Sequence, residues 1–339
     1  MALTSKKMFI LIFCACFLVL NAAAVEFSLK INAGPAWMNG GDLNKSISGW
    51  RQYYEDRQSP IFSSSYRMNE IHGAYEVGAE VMVKLSSRWS IGLGIGFLPR
   101  SQNGEISTKL ASRENYTLSA TQSGTVSREE TTSQLPSYEV KAVPITLSAY
   151  YLLPVGEKYR LYLGGGGGLY SSRYRYHEEY SYRFNYTDDQ HSAGSSVQYV
   201  DRYSSTGEYR ETAKTQTFGF HGSAALDIKI RPSFFITFEV LERWVNFKGW
   251  EGEKTDSYDW THTWGLWGAY SDQGETDESY SGKLWRVDVH SDQTGKSYPR
   301  LVFSEEEPVS ADYAAAKPAS ISLTGFSARI GFKFKFGKS

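Results

Sequence analysis

Three side chains of the types used in acyl hydrolysis occur close together in the sequence. His221 and Ser223 lie two residues apart, so a strand would place both on one face, and Glu239 lies in the next segment. A serine nucleophile, a histidine base and a carboxylate that orients the base form a hydrolytic site. A tight turn near residue 232 would instead place His221 opposite Arg243, with Glu239 about four residues further along, roughly 13 Å away. Because that separation is too long for a hydrogen bond, we predict no catalytic site.

Charged residues recur on one face of the segments that read as strands. If these strands close into a barrel of eight, that face is the interior, which is about wide enough for side chains to fill. Buried charges require partners, so we expect a paired network that plugs the lumen, with Glu80, Glu239 and Arg329 near its centre. A polar pathway for small solutes is the alternative. The predicted network comprises Lys30, Glu76, Glu80, Lys84, Asp227, Lys229, Glu239, Arg243, Arg329 and Lys333.

The last long connection combines large aromatic residues with carboxylates. Its aromatic residues are Trp260, Trp264, Trp267 and Tyr270, and Asp272, Glu275, Asp277 and Glu278 follow them. Tryptophan and tyrosine are typical contact residues of binding surfaces, so one hypothesis is a ligand-binding loop. The other is that the aromatic side chains form the loop's own small core. The carboxylate spacing fits no EF-hand, and we predict no metal site.

A run of five glycines, Gly164 to Gly168, invites comparison with a phosphate-binding loop. The run lacks the Lys-Ser/Thr pair and the helix that such a loop requires. Before it, apolar residues occupy odd positions, as at Leu161 and Leu163; after it, aromatic residues occupy even positions, as at Tyr174. One inserted bulge residue would reverse the faces in this way. We therefore expect a β-bulge within the run.

Eight segments with a two-residue alternation would position these side chains. In the second segment, for example, Val77, Val81 and Val83 alternate with Glu80 and other residues of the opposite face. Such alternation is typical of strands with one apolar face. The segments begin near residues 25, 77, 89, 143, 159, 218, 234 and 326.

The connections between these segments alternate in length. Three are tight turns (86–88, 153–158 and 231–233), and four are long (about 39–74, 101–137, 187–213 and 247–320). Short turns on one side and long loops on the other are typical of outer-membrane barrels, and an even strand number allows closure. We predict an all-β, eight-stranded antiparallel transmembrane β-barrel with four long extracellular loops. A soluble β-sandwich would show this alternation only by chance.

Aromatic residues at the predicted segment ends support the same architecture. One group, next to the short turns, comprises Trp89, Tyr151, Tyr159, Phe234 and Phe336, and the other, at the long-loop ends, comprises Trp37, Tyr75, Phe97, Phe218 and Trp244. All ten occupy the predicted lipid-facing positions. Two such girdles are typical of membrane interfaces.

The N-terminus has the pattern of an export signal. Lys6 and Lys7 precede an apolar run that ends near Leu20, and small residues follow up to Ala24. We predict a cleaved signal peptide over 1–24 and a single barrel domain over 25–339. Both cysteines, Cys14 and Cys16, lie within the signal, so the mature chain would hold no disulfide and no cysteine-ligated metal. A formal net charge of −1 gives no basic footprint for nucleic acid.

The strand segments resemble the small outer-membrane barrel family typified by OmpX and the OmpA membrane domain. The resemblance rests on Val143-Pro144-Ile145-Thr146-Leu147, on Leu161-Tyr162-Leu163-Gly164 and on the aromatic closing strand. It departs at Gly337-Lys338-Ser339, where the family's chains end on the aromatic residue, and in its longer loops. No site residues carry over.

The resemblance implies the cell outer membrane as location, and lipopolysaccharide and the outer-membrane assembly machinery as partners, with no cofactor. We expect a non-enzymatic surface-interaction or structural protein. A narrow porin for small solutes is the alternative. The remote alternative is an outer-membrane hydrolase that modifies lipid A. Such enzymes use a histidine, a serine and a glutamate, the residue types of His221, Ser223 and Glu239.

Overall fold

The structure, a computed structural model, describes residues 26–336. The predicted signal peptide (1–24), with both cysteines, and Gly337-Lys338-Ser339 lie outside the described residues. Nearly all of the described chain is antiparallel β-sheet, which confirms the predicted all-β class. Within 26–336, no helix is long and apolar enough to cross a membrane.

One helix and sixteen strands make up this part of the chain. The helix is α1 (Asp42–Asp56). The strands are β1 (Phe27–Met38), β2 (Phe62–Arg67), β3 (Gly73–Lys84), β4 (Trp89–Asn103), β5 (Glu105–Ser119), β6 (Gln122–Pro154), β7 (Tyr159–Ser192), β8 (Ser195–Arg231), β9 (Phe234–Trp244), β10 (Asn246–Phe247), β11 (Glu251–Leu266), β12 (Tyr270–Ser291), β13 (Lys296–Ser304), β14 (Tyr313–Pro318), β15 (Ile321–Ser322) and β16 (Gly325–Phe336).

Eight of these strands pair in a closed cycle. The order is β1, β3, β4, β6, β7, β8, β9 and β16, and β16 pairs with β1 again. These are the strands that contain the eight predicted segments. The prediction that the chain has only eight strands is wrong, because eight further strands occur outside the cycle.

The cycle turns apolar side chains outward and polar side chains inward. On β3, Val77 and Val81 are exposed, whereas Glu76, Glu80 and Met82 between them are buried. Every strand of the cycle has such exposed aliphatic or aromatic residues on its outer face. The outside of the cycle is therefore an apolar band, and its inside holds the charged side chains.

Three strands of the cycle are much longer than a membrane requires. β6, β7 and β8 have 33, 34 and 37 residues, whereas a transmembrane strand needs about 9–11. Their long-loop ends continue as an upper sheet in the order β2, β5, β6, β7, β8, β11, β12 and β13. The predicted loops over 101–137 and 187–213 are thus mostly strand, because inter-strand pairing continues through them.

The glycine run contains no bulge, so that prediction is wrong. The pairing of β7 with β6 and with β8 keeps one register from Tyr159 to Ser192. Even-numbered residues such as Tyr162 and Tyr174 are buried on both sides of the run. What changes is the outer face, which carries Leu161 and Leu163 below the run and Arg173 and Arg175 above it. The reversal of pattern therefore marks the end of the apolar band.

Helix α1 lies in the stretch 39–74, which the sequence indicated to be a loop. Leu43, Ile47 and Tyr54 are buried and share one face, with Trp50 between them at helical spacing. The Asn44 amide fixes the helix start, because Nδ2 donates to the Ile71 carbonyl at 2.9 Å and Oδ1 accepts from the Ile71 N–H at 2.7 Å.

Candidate functional site

The centre of the lumen holds two carboxylates between two cations. Lys30 Nζ lies 2.6 Å from Glu80 Oε2 and 3.2 Å from Glu239 Oε1. Arg329 approaches the other oxygen of Glu239, at 2.7 Å. The three residues predicted to share the centre, Glu80, Glu239 and Arg329, therefore join one network through Lys30. Each charge has an opposite charge in contact, as burial requires.

A second carboxylate centre lies toward the long-loop side of the lumen. Arg329 Nη1 lies 3.2 Å from Glu76 Oε1, and the Arg243 guanidinium donates to Oε2 of the same carboxylate. Ser327 also donates to Glu76 Oε2, at 2.6 Å. Because Arg329 contacts both Glu76 and Glu239, it links the two centres into one chain of charges.

The remaining predicted lumen residues lie toward the short-turn end. Lys333 Nζ pairs with Asp227 Oδ2 at 3.0 Å. Lys84 pairs with Glu26 at 3.1 Å at the rim rather than with the central charges. Lys229 is exposed, which corrects its placement in the lumen. A register shift between Lys229 and Arg231 precedes the β8–β9 turn, so alternation no longer fixes the direction of that side chain.

Uncharged polar side chains complete the network. The predicted network contained charged residues only, so it did not include them. Tyr150 Oη donates to Glu80, at 2.8 and 2.9 Å from its two carboxylate oxygens, and the ring lies under Lys30 Nζ at 5.1 Å. Asn32 Nδ2 donates to Glu239 Oε2 at 3.2 Å. Each of these residues occupies an inward position of its strand, so the same alternation that selected the charges would have identified them.

A small cavity inside the cycle lies beside Glu76, Glu80 and Arg329. Its volume is about 50 Å³, with room for a few water molecules. His221 borders it and exchanges a hydrogen bond with Ser148 Oγ, 2.9 Å from Nε2. His221 lies opposite Arg243, as the sequence predicted. Its Nδ1 contacts no hydrogen-bonding atom among the described residues, so no carboxylate there orients the imidazole.

A layer of apolar side chains closes the lumen on the long-loop side. Leu43 and Ile47 of α1 belong to one buried cluster with Leu284 of β12 and Phe303 of β13. The same cluster contains lumen-facing residues at the strand ends, including Ala36, Leu98, Ala142 and Tyr170. We call α1, β13 and the second half of β12 (283–291) the lid. The lid lies between the charged lumen and the space above.

Beside the same apolar cluster, a carboxylate is buried among tyrosines. Glu211 of β8 accepts hydrogen bonds from Tyr209 at 2.6 Å and from Tyr174 at 3.3 Å. Burial raises the pKa of the Glu211 carboxyl to about 7, although these hydrogen bonds and the nearby Lys254 ammonium act to lower it. This carboxyl therefore changes its charge near neutral pH.

The four predicted loop aromatics occupy the hairpin of β11 and β12 rather than an irregular loop. Trp260, Trp264 and Tyr270 lie on the strands, where Trp264 pairs with Tyr270. Trp267 lies in the turn, 65% exposed and at φ 49°. The structure therefore brings three of them onto one face and leaves Trp267 at the tip. Among residues 26–336, no cluster of three or more His, Asp or Glu side chains could hold a metal ion.

Comparison with known proteins gives only remote similarities. No family model matches the sequence, and no curated protein matches it. Over 93% of this chain and 97% of the other, the outer membrane protein OprG from Pseudomonas aeruginosa is 10% identical, with a TM-score of 0.31. The outer membrane protease OmpT from Escherichia coli is 9% identical over 93% and 98% of the two chains, with a TM-score of 0.25. A FadL homologue from Pseudomonas aeruginosa is 9% identical over 92% and 90%, with a TM-score of 0.18.

Proposed function

We propose that the chain is a non-enzymatic outer-membrane β-barrel that presents a binding surface outside the cell. The observation that carries this proposal is the closed cycle of eight strands with an apolar outside and a charged inside whose central charges are paired. A closed cycle satisfies every backbone hydrogen bond without water, which is the condition for crossing a bilayer with strands. Lipopolysaccharide and the outer-membrane assembly machinery are the partners that this location implies.

Two features favour a plugged lumen over the narrow porin. Arg329, Lys30 and the three carboxylates they contact fill the middle of the lumen. The lid covers the long-loop end with buried apolar side chains. A solute would have to displace both, so we assign the function to the upper sheet. The small closed cycle also agrees with the resemblance to OmpX and to the OmpA membrane domain.

The hydrolase alternative has little support from the geometry. His221 contacts Ser148, and Ser223 Oγ makes no hydrogen bond to a described atom. The Glu239 carboxylate instead binds Lys30 and Arg329. All of these groups lie inside the cycle, beneath the lid, where a lipid acyl chain has no access.

Membrane location and barrel closure can be tested together. The full chain should fractionate with the outer membrane after expression in a Gram-negative host. In detergent gels it should migrate faster unboiled than boiled, because a closed barrel resists unfolding by detergent alone. Recovery in the soluble fraction, with identical migration of both samples, would overturn the proposal.

A further inference from the structure

The short-turn end of the cycle carries positive charge that has no partner within the described chain. Four exposed cations lie in or beside the three tight turns, and we call them the basic rim: Arg88, Lys158, Lys229 and Arg231. None of the four forms an ion pair with a carboxylate among residues 26–336. The ion pairs at this end instead join Lys84 and Lys335 to Glu26, and Lys333 to Asp227.

Two lysines of the basic rim face each other across neighbouring strands. The Lys229 N–H donates to the Lys158 carbonyl at 2.8 Å, so the two residues lie opposite each other at the end of the β7–β8 ladder. Like charges in opposite positions destabilise a sheet. The one carboxylate in the sequence of this turn, Glu157, is exposed and pairs with neither lysine within the described chain. An anion from outside the protein would relieve the repulsion.

The basic rim borders the apolar outside of the cycle. Each of its cations is next in sequence to an exposed apolar residue: Arg88 to Trp89, Lys158 to Tyr159, and both Lys229 and Arg231 to Ile230. Long cationic side chains beside an apolar surface extend their charged groups to the polar side of its edge. An anion that reaches the basic rim therefore lies where the molecules that cover the apolar band end.

Arg88 is held at the outer edge of this band. Its Nη1 donates to the Tyr151 hydroxyl at 3.0 Å, and the rings of Trp89 and Tyr151 meet edge to face with centroids 5.1 Å apart. A guanidinium has five N–H donors, and this contact uses one of them. The remaining donors have the planar arrangement that binds two oxygens of a phosphate group at once.

The excess of positive charge is local to the short-turn end. At the other end, the long connection 247–320 has twice as many aspartate and glutamate residues as lysine and arginine residues. The formal net charge of −1 therefore conceals one basic and one acidic end. Short turns of outer-membrane barrels lie on the periplasmic side, so in the proposed location the basic rim meets the inner leaflet.

We propose that the basic rim binds the phosphate groups of anionic phospholipids in the inner leaflet. The apolar band contacts the acyl chains, and the rim cations lie at the level of the headgroups. A zwitterionic phospholipid brings its own cation beside the phosphate, whereas an anionic one brings net negative charge. Because the rim cations lack carboxylate partners, they favour the anionic lipid. This inference rests on the outer-membrane location proposed above and adds a lipid class to it.

The test uses the full chain, folded in detergent micelles with equal amounts of phosphatidylglycerol and phosphatidylethanolamine. Native mass spectrometry counts the bound molecules of each lipid, and we expect a preference for phosphatidylglycerol. Each cation near an anionic headgroup contributes a factor of about five to binding. Simultaneous replacement of the four rim cations by glutamine should therefore lower the preference about tenfold or more.

A matched control removes the same charge from the other end of the molecule. It replaces two arginines and two lysines by glutamine, all exposed and without an ion pair to a described carboxylate: Arg113, Arg202, Lys248 and Lys317. This variant should keep the wild-type preference. The unboiled gel band verifies that both variants are folded.

Four results would overturn the lipid assignment. They are equal binding of the two lipids by the wild type, an unchanged preference in the rim variant, an equal loss in the control variant, and competition by glycerol phosphate as strong as by phosphatidylglycerol. The last result would indicate a site for free phosphate. Recovery of the chain in the soluble fraction, without heat-modifiable migration, would instead overturn the proposed location, so the two failures are distinguishable.

Discussion

At the scale of single residues, Arg329 is the group that joins the lumen network. It contacts both Glu239 and Glu76, while Lys30 and Arg243 supply the second cation of each carboxylate. Removing one partner of a buried ion pair costs about 3–5 kcal/mol. Since each carboxylate here keeps another cation, we expect Arg329→Met to destabilise the folded protein by an amount near the lower end of that range.

A second substitution distinguishes coupling from simple packing. Glu239→Gln in the Arg329→Met background should recover part of the loss, because it removes one carboxylate that the lost guanidinium had neutralised. Equilibrium unfolding in urea with detergent micelles, on the wild type, both single variants and the double variant, gives the interaction energy. Additive effects would contradict direct coupling between the two side chains.

We expect Glu211 to give the upper sheet a pH-dependent stability. Burial raises the pKa of this carboxyl from 4.5 to about 7, so the folded state binds its proton more tightly than the unfolded state. The stability that the protonated Glu211 carboxyl contributes is fully present below about pH 4.5 and is lost as the pH rises through 7. The loss in free energy of unfolding amounts to about 3 kcal/mol. Glu211→Gln should therefore flatten the pH dependence and raise stability relative to the wild type at pH 8.

Thermal unfolding of the upper sheet, followed by near-ultraviolet circular dichroism between pH 5 and 8, would measure this effect. Glu253→Gln, an exposed carboxylate on the outer face of β11, is the matched control. Parallel pH curves for Glu211→Gln and wild type would show that the Glu211 carboxyl does not titrate in this range.

At the scale of strands, the outer apolar face should respond to charge according to depth. Val81 lies within β3 on that face, and Leu85 follows the same strand on the same face at the short-turn end. Arginine costs about 2–4 kcal/mol at the bilayer midplane and about 0–1 near the interface. We expect Val81→Arg to reduce folding into lipid vesicles by that larger amount and Leu85→Arg to be tolerated. Equal losses would contradict a membrane-embedded outer face.

The sequence predicted the strands of the closed cycle well because one side of each strand carries exposed apolar residues and the other side carries buried, mostly polar ones. Alternation then determines the faces, and even the pairing of His221 with Arg243 follows from turn position. It failed where the outer face changes from apolar to polar. Beyond Leu169 the outer face of β7 carries polar residues, so arginines replace leucines at unchanged parity, and this change resembles the reversal that a bulge would produce.

The sequence did not predict helix α1, for a different reason. Its apolar positions, Leu43, Ile47, Trp50 and Tyr54, have helical spacing, but the helix has only fifteen residues and these positions have mostly polar neighbours. The helix is stabilised by burial in one apolar cluster with Leu284 of β12 and Phe303 of β13, which lie far away in the sequence. Helical periodicity alone is a weak signal when the elements that bury the apolar face of the helix lie far away in the sequence.

At the scale of the whole molecule, the charged network and the lid are two barriers in series along the lumen. The network occupies the middle of the cycle, and the lid covers its long-loop end through a separate apolar cluster. Because different interactions hold the two barriers, opening one should leave the other in place. The wild-type protein is therefore expected to give almost no ion current in planar bilayers.

Three variants would test the two barriers in order. In the first variant, a short Gly-Ser linker replaces 42–56 and removes the helix of the lid. In the second, alanine replaces Lys30, Glu80, Glu239 and Arg329 together, which removes the central charges without leaving any of the four unpaired. The third variant combines both changes. Each change alone should raise conductance little, because the other barrier still fills the lumen. The combination should produce steady channels, with heat-modifiable migration verifying closure in every variant. A large, steady current through the wild type would restore the porin hypothesis, and full opening by the linker variant alone would show that the charged network leaves a path for ions.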